Sequence, residues 1–114
     1  MISKTNRFHG HNSLNSVYRK GSAARGEYIS LRFAGNRRQD YRLAVVVSKK
    51  VSKSAVVRNR IRRRIYEVIR LHRQEKPEPW PQDIVVSVFD ERAAVVPHEE
   101  LKAAVERLLA KAGL

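Results

Sequence analysis

Residues 41–73 read YRLAVVVSKKVSKSAVVRNRIRRRIYEVIRLHR, and this stretch decides the fold. Tyr41 to Val47 is nearly continuously apolar, which predicts a central strand. Ser48 to Ser54 follows as a basic loop. Over residues 56–73 the pattern takes the period of a helix. On a wheel of about 100° per residue, Val57, Ile61, Ile65, Val68 and His72 share one quadrant, with Ile69 at its edge. Arg60, Arg62, Arg63, Arg70 and Arg73 spread over the other side. One face is expected to pack on a sheet, and the other to form an arginine ridge. Arg58 and Arg64 fall at the boundary, where long stems are expected to snorkel outward.

On the N-terminal side, Tyr28 to Ala34 alternates, with Ile29, Leu31 and Phe33 on one face. That predicts a strand with one wet or ligand-facing side. Gly35 to Asp40 is a turn, and Gly21 to Gly26 reads as a loop. Asn12 or Ser13 caps a predicted short helix over 13–20, with Leu14, Val17 and Tyr18 on one face. Residues 1–11 are polar and expected to be flexible. On the C-terminal side, Pro77, Pro79 and Pro81 end the basic helix. Ile84 to Phe89 predicts a third strand. Pro97 suits the first turn of a last helix, with Glu99 and Glu100 at its positive end and Gly113 closing it. The order helix, strands, helix, strand, helix predicts one α+β sandwich domain over 1–114. Short loops favour antiparallel pairing of the first two strands. The strand–helix–strand unit from Tyr41 to Phe89 predicts a parallel pair.

The 114 residues carry 24 Lys and Arg against 11 Asp and Glu, a net charge of +13, and no cysteine. Without cysteine there is no disulfide framework, thiolate zinc site or cysteine nucleophile. No apolar run approaches the roughly 18 residues of a membrane span. The first residues lead into no apolar stretch, so no secretory signal is expected. A cytoplasmic protein with a polyanionic partner is the expectation. The charge is segregated: residues 42–73 hold 11 basic side chains and only Glu67 as an acid, whereas residues 74–114 are net acidic. A dedicated phosphate-binding face has that distribution, because phosphate neutralisation releases condensed counterions. Arginine forks also engage phosphates bidentately, which lysine cannot do.

The run from Val47 to Arg63 resembles the signature of the bacterial ribonuclease P protein subunit. In that family a V-S-K-K strand end leads through a basic loop into an R-N-R-x-[KR]-R helix. Arg58, Asn59, Arg60, Arg62 and Arg63 match it here, with Glu67 and Arg70 in step. Asp83-Ile84-Val85-Val86 resembles the family's later strand, and Glu100-Leu101 begins a final helix of the expected kind. The resemblance runs from about Arg7 to Leu109. Three positions depart from the pattern: Tyr66 replaces a basic residue, Leu43-Ala44 replaces an aliphatic-glycine step after Arg42, and Leu14 replaces an aromatic.

The resemblance implies an accessory subunit of an endoribonuclease that removes the 5′ leader of precursor tRNA. The catalytic centre lies in an RNA subunit using Mg²⁺, so the protein contributes no catalytic residue and no metal ligand. It implies a left-handed β-α-β crossover, against the general right-handed rule. Lys49, Lys50, Lys53, Arg58, Asn59, Arg60, Arg62, Arg63 and Arg70 are the expected contacts to ribonuclease P RNA. Asn59 instead fixes loop backbone in an alternative reading. Leu14, Tyr18, Tyr28 and Ser48 are the expected leader contacts of a cleft between the first helix and the sheet. Tyr18 and Tyr28 are candidate stacking platforms, or half-buried packing residues. No membrane and no obligate protein partner is expected.

Other chemistries are weaker. His9-Gly10-His11 lacks a third metal ligand. His72 and His98 are isolated. Asp83 and Asp90 lie roughly 20 Å apart along one strand, too far for a two-metal site. There is no phosphate-binding P-loop and no nucleophile elbow. The main rival is a ribosome-associated RNA-binding protein or RNA chaperone using the same basic helix. A DNA-binding module comes third, since the apolar face of that helix is committed to the sheet.

Overall fold

The computed structural model describes residues 21–36, 40–75 and 79–114. The expected flexible segment 1–11, the helix over 13–20 with Leu14 and Tyr18, and His9 and His11 lie outside them. The described chain forms β1 (Ser22–Arg25), β2 (Ile29–Gly35), β3 (Arg42–Val47), α1 (Ala55–Gln74) and β4 (Gln82–Val88). A 3-10 turn (Glu91–Ala94) and α2 (His98–Lys111) follow. The four strands make one sheet in the order β1-β2-β4-β3. The α+β class expected from the element order holds.

Two pairings differ from expectation. β2 and β3 do not pair; β4 returns between them, antiparallel to β2 and parallel to β3. β3 is therefore an edge strand and β4 is central. Burial explains the exchange. Asp83, Ile84, Val85, Val86 and Val88 of β4 are all buried, whereas Val46 of β3 is 37% exposed. The strand with fewest exposed residues takes the slot covered on both sides. The segment expected as a loop at Gly21 to Gly26 contains β1, paired to β2 from Ser22↔Phe33 to Arg25↔Ser30. Its residues Ser-Ala-Ala-Arg have low strand propensity, so the β2 edge, not local preference, makes this strand.

Helix α1 begins where Ser54 Oγ accepts a hydrogen bond from Val57 N–H at 3.3 Å. This N-cap satisfies one of the unpaired first-turn donors. Ile61, Ile65, Val68 and Ile69 are buried against the sheet, as the wheel predicts. Helix α2 buries Leu101, Ala104, Val105, Leu108 and Leu109. It ends at Gly113, whose φ of +78° suits only glycine without strain. The Leu114 N–H reaches back to Leu109 O at 2.8 Å and closes the turn. Both helices cover one face of the sheet, packing on Ile29, Leu31, Leu43, Val45, Ile84 and Val86.

Trp80 is the sole tryptophan and lies buried beside Tyr41, with ring centroids 5.3 Å apart. Burial pushes the Tyr41 phenol up to about 12 from its ordinary 10. Its folded value lies above its unfolded value, so the neutral phenol stabilises the fold below pH 10. That contribution is lost as pH rises from about 10 to about 12, at a cost of roughly 2 kcal/mol. Urea unfolding read by Trp80 fluorescence should show this alkaline loss in the wild type. Tyr41→Phe should reduce the alkaline slope, leaving the smaller contribution of Tyr28, whose phenol is also raised, and an unchanged slope would place the titration elsewhere.

Candidate RNA interface

The ordering of the loop explains how the basic residues are displayed. Val51 N–H donates to Ser48 O at 3.1 Å, forming a turn directly after β3. Ser52 is buried, and its Oγ accepts from Ser54 N–H at 3.2 Å. Lys49, Lys50 and Lys53 project from this turn and are exposed. Arg58 Nη1 donates to Ser52 O at 2.9 Å, so this guanidinium holds the loop to the helix.

The nine expected RNA contacts divide into two groups. Lys49, Lys50, Lys53, Arg60 and Arg63 are exposed and make no ion pair or hydrogen bond among the described residues. Arg58, Asn59, Arg62 and Arg70 are engaged. Asn59 Oδ1 accepts from Arg62 Nη1 at 2.7 Å. The Asn59 carbonyl is thus spent on a neighbouring arginine and not on loop backbone, while the Nδ2 donors of this exposed residue make no hydrogen bond among the described residues. Arg62 Nη2 also reaches Val47 O at 3.5 Å, on the outer edge of β3. Arg70 pairs with Glu67 on the same helix, and the guanidinium holds that carboxyl well below the usual carboxylate range. Nearly half of the expected contacts are therefore internally committed.

The boundary arginines turn inward, contrary to the expected snorkelling. Arg64 donates from Nη1 to Ala93 O at 2.8 Å and from Nη2 to Val96 O. These carbonyls close the 3-10 turn and precede α2, so Arg64 ties the last helix to the basic one. Tyr66 also leaves the open face. Its hydroxyl accepts from Val45 N–H at 3.4 Å, on the free edge of β3. Tyr66, Arg62 and Arg73, which binds Asp40 at 2.9 Å, together blunt that edge against further pairing.

The expected leader contacts fare differently. Ser48 is exposed at the end of β3. Tyr28 is only 4% exposed, which corrects the stacking role expected for it. Its hydroxyl donates to Glu100 Oε1 at 2.6 Å, and this bond raises the phenol above its ordinary value. The Arg92 guanidinium lies 5.3 Å from the ring. A ring so packed offers no open face to a base. Leu14 and Tyr18 lie outside the described residues.

No cluster of three or more His, Cys, Asp or Glu among the described residues forms a metal site. The two strand carboxylates are both engaged: Asp83 by Arg42 and Asn36, and Asp90 by Arg92. No described helix is long and apolar enough to cross a membrane.

One exposed aromatic is not singled out by the sequence pattern. Phe89 follows β4 and is 38% exposed, with the Arg25 guanidinium 4.2 Å from its ring centroid. Strand alternation puts Phe89 in step with Val85 and Ser87, away from the helices. Its neighbour Arg25 cannot be inferred while residues 21–26 read as a loop.

A basic loop and a half-open arginine helix on a four-stranded sheet is the arrangement that the V-S-K-K and R-N-R resemblance implies. A family model described as Ribonuclease P matches residues 2–113. The chain belongs to the ribonuclease P protein family. The ribonuclease P protein component of Synechocystis sp. is 33% identical over 114 residues, covering 99% of this chain and 90% of that protein. That of Roseiflexus castenholzii is 37% identical over 98 residues, covering 86% and 78%. That of Thermus thermophilus is 40% identical over 97 residues, covering 84% of this chain and 53% of the relative. The chain thus spans about half the length of the Thermus relatives it matches. Among solved structures, a Staphylococcus aureus RNase P protein mutant with defective mRNA degradation activity superposes with a TM-score of 0.83. It is 26% identical and covers 96% of this chain and 90% of its own. The RNase P protein from Thermotoga maritima superposes with a TM-score of 0.79 at 23% identity, a likeness of fold. In this member of the family, the R-N-R block is where open and committed side chains alternate.

Proposed function

We propose that this chain is the protein subunit of a ribonuclease P holoenzyme acting in the cytoplasm. It binds the catalytic RNA subunit and the 5′ leader of precursor tRNA, and so assists hydrolytic removal of the leader. Mg²⁺ acts through the RNA, and no residue of the chain is catalytic. The observation that carries this reading is the set of five uncompensated cations, Lys49, Lys50, Lys53, Arg60 and Arg63, on one loop and the helix it enters. Unpaired, exposed charges can replace counterions on phosphate without first breaking internal contacts. Family membership supports the choice of RNA over DNA.

The test is cleavage of a 5′-extended precursor tRNA at low Mg²⁺. A bacterial ribonuclease P RNA alone, this protein alone, and the two together should be compared. Strong cleavage only by the mixture is the expected result. Cleavage by the protein alone would overturn the assignment of catalysis to RNA. Tight binding to that RNA without stimulation would favour a ribosome-associated or chaperone role.

A further inference from the structure

The two edges of the sheet are protected unequally. On β3, outward backbone groups are taken by side chains: Val45 N–H by the Tyr66 hydroxyl, and Val47 O by Arg62. β1 forms the opposite edge. In an antiparallel ladder, hydrogen-bonded and open pairs alternate. Gly26 N–H donates to Ile29 O at 2.8 Å, so the next pair, Arg25 with Ser30, is open, and so is Ala23 with Arg32. The N–H and C=O groups of Ala23 and Arg25 therefore point away from β2. Of these groups, only Arg25 O has a partner among the described residues, Lys111 Nζ at 3.3 Å. An edge left in this state is a template for one more strand.

Beside this edge, on the helix side of the sheet, a cleft of about 190 Å³ separates the β1–β2 turn from α2. Ala104 and Leu108 form its floor, and Gly26, Glu27, Arg107 and Lys111 stand around it. A Cβ on Gly26 would lie 3.6 Å from Leu108, so the cleft reaches the helix because residue 26 has no side chain. Pockets that enclose a drug-sized molecule start at roughly 300 Å³. This cleft is smaller and suits a single aliphatic side chain. Its rim is cationic. Arg107 pairs with Glu27, but both side chains are exposed, and such a surface pair exchanges partners at little cost. Lys111 has no carboxylate partner among the described residues.

We infer that the outer edge of β1 and the cleft beside it form a docking site for an extended acidic peptide of a partner protein, added to the sheet as a fifth strand. The peptide pairs with Ala23 N–H, Ala23 O and Arg25 N–H. One of its aliphatic side chains sits on Leu108. A carboxylate two residues along, on the same face, meets Lys111 or Arg107. The backbone groups on offer select a peptide over RNA: phosphate oxygens only accept, and would leave Ala23 O unmatched. The sequence of β1, Ser-Ala-Ala-Arg, has no acid for the rim and no large aliphatic residue for the cleft. A second copy of this edge therefore fits less well than an acidic strand. The site is independent of the RNA-binding reading, because β3, which leads into the basic loop, is the opposite edge.

The test measures binding of a labelled peptide, TVTETVTE, to the full chain. Valine and glutamate alternate on one face of this strand, and threonine fills the other. The peptide is expected to bind and to protect the Ala23 and Arg25 amides from hydrogen exchange. Its lysine counterpart, TVTKTVTK, should bind about tenfold more weakly or worse. Ala23→Pro removes an outward N–H without breaking a β1–β2 bond, which an edge strand tolerates. It should weaken TVTETVTE binding about tenfold and leave thermal unfolding and affinity for ribonuclease P RNA near wild type. Lys111→Glu leaves the β1 backbone untouched, and should weaken TVTETVTE and favour TVTKTVTK. No binding of TVTETVTE at about 1 mM would overturn the site. So would equal binding of the two peptides, or undiminished binding by both variants. Displacement of the peptide by oligouridine would assign the edge to RNA. Self-association of the chain that Ala23→Pro abolishes would assign it to a second copy. Either result overturns the peptide site.

Discussion

The Arg60→Ala/Arg63→Ala double variant is expected to bind ribonuclease P RNA about one-hundred-fold more weakly at low salt. Each arginine–phosphate hydrogen bond removed accounts for roughly tenfold. The slope of log affinity against log salt should fall by about one for each phosphate no longer neutralised. Both side chains are exposed and unpaired, so their removal frees no buried partner and should leave stability within about 0.5 kcal/mol. Arg58 and Arg62 are different. Their guanidinium groups hold Ser52 O and Val47 O, so their truncation should loosen the loop as well as remove charge. Glu67→Ala supplies a test of opposite sign. It removes the one acid on the helix and releases Arg70, so affinity and slope should both rise. The measurement is a salt titration of binding for each variant. An unchanged slope in the double variant would remove the arginine face from RNA recognition, whatever its effect on cleavage.

That division between open and committed arginines is only partly legible in the sequence. Ile61, Ile65, Val68 and Ile69 repeat at helical spacing, so the buried face of α1 follows from local order alone. The partners of Arg64 are carbonyls about thirty positions away, at Ala93 and Val96, and helical periodicity says nothing about them. Arg62 and Tyr66 likewise turn toward β3 because that strand lies at the edge. The edge position is a non-local outcome: β4 enters between β2 and β3 only after α1 has crossed over. Tyr28 is buried and Phe89 exposed for the same reason. Alternation identifies which residues share a face, but the covering of each face is decided by segments distant in sequence.

Asp83→Ala should be the most destabilising single change away from the apolar core, at about 3 kcal/mol, or roughly 10 °C in Tm. Asp83 is buried, and it accepts from Arg42 at 2.8 and 2.6 Å and from Asn36 Nδ2 at 2.9 Å. Arg42 and Asp83 are also in register across the parallel pair β3–β4, so the fork fastens that junction where it begins. Removing the carboxylate takes a charged acceptor away from a partly buried guanidinium and from the Asn36 amide, which costs more than the ion pair contributes. The Arg42→Ala/Asp83→Ala double variant should therefore be less destabilised than the two single losses added together. Trp80 fluorescence during urea unfolding measures all three. Strict additivity would mean that the fork is not an energetic unit. The RNA-binding salt slope should not move in the folded Asp83→Ala protein, because the fork lies at the end of the sheet opposite the basic loop. A slope that did fall would show that the β3–β4 junction sets the position of Lys49 and Lys50. Stability and RNA recognition would then be coupled through one strand pair.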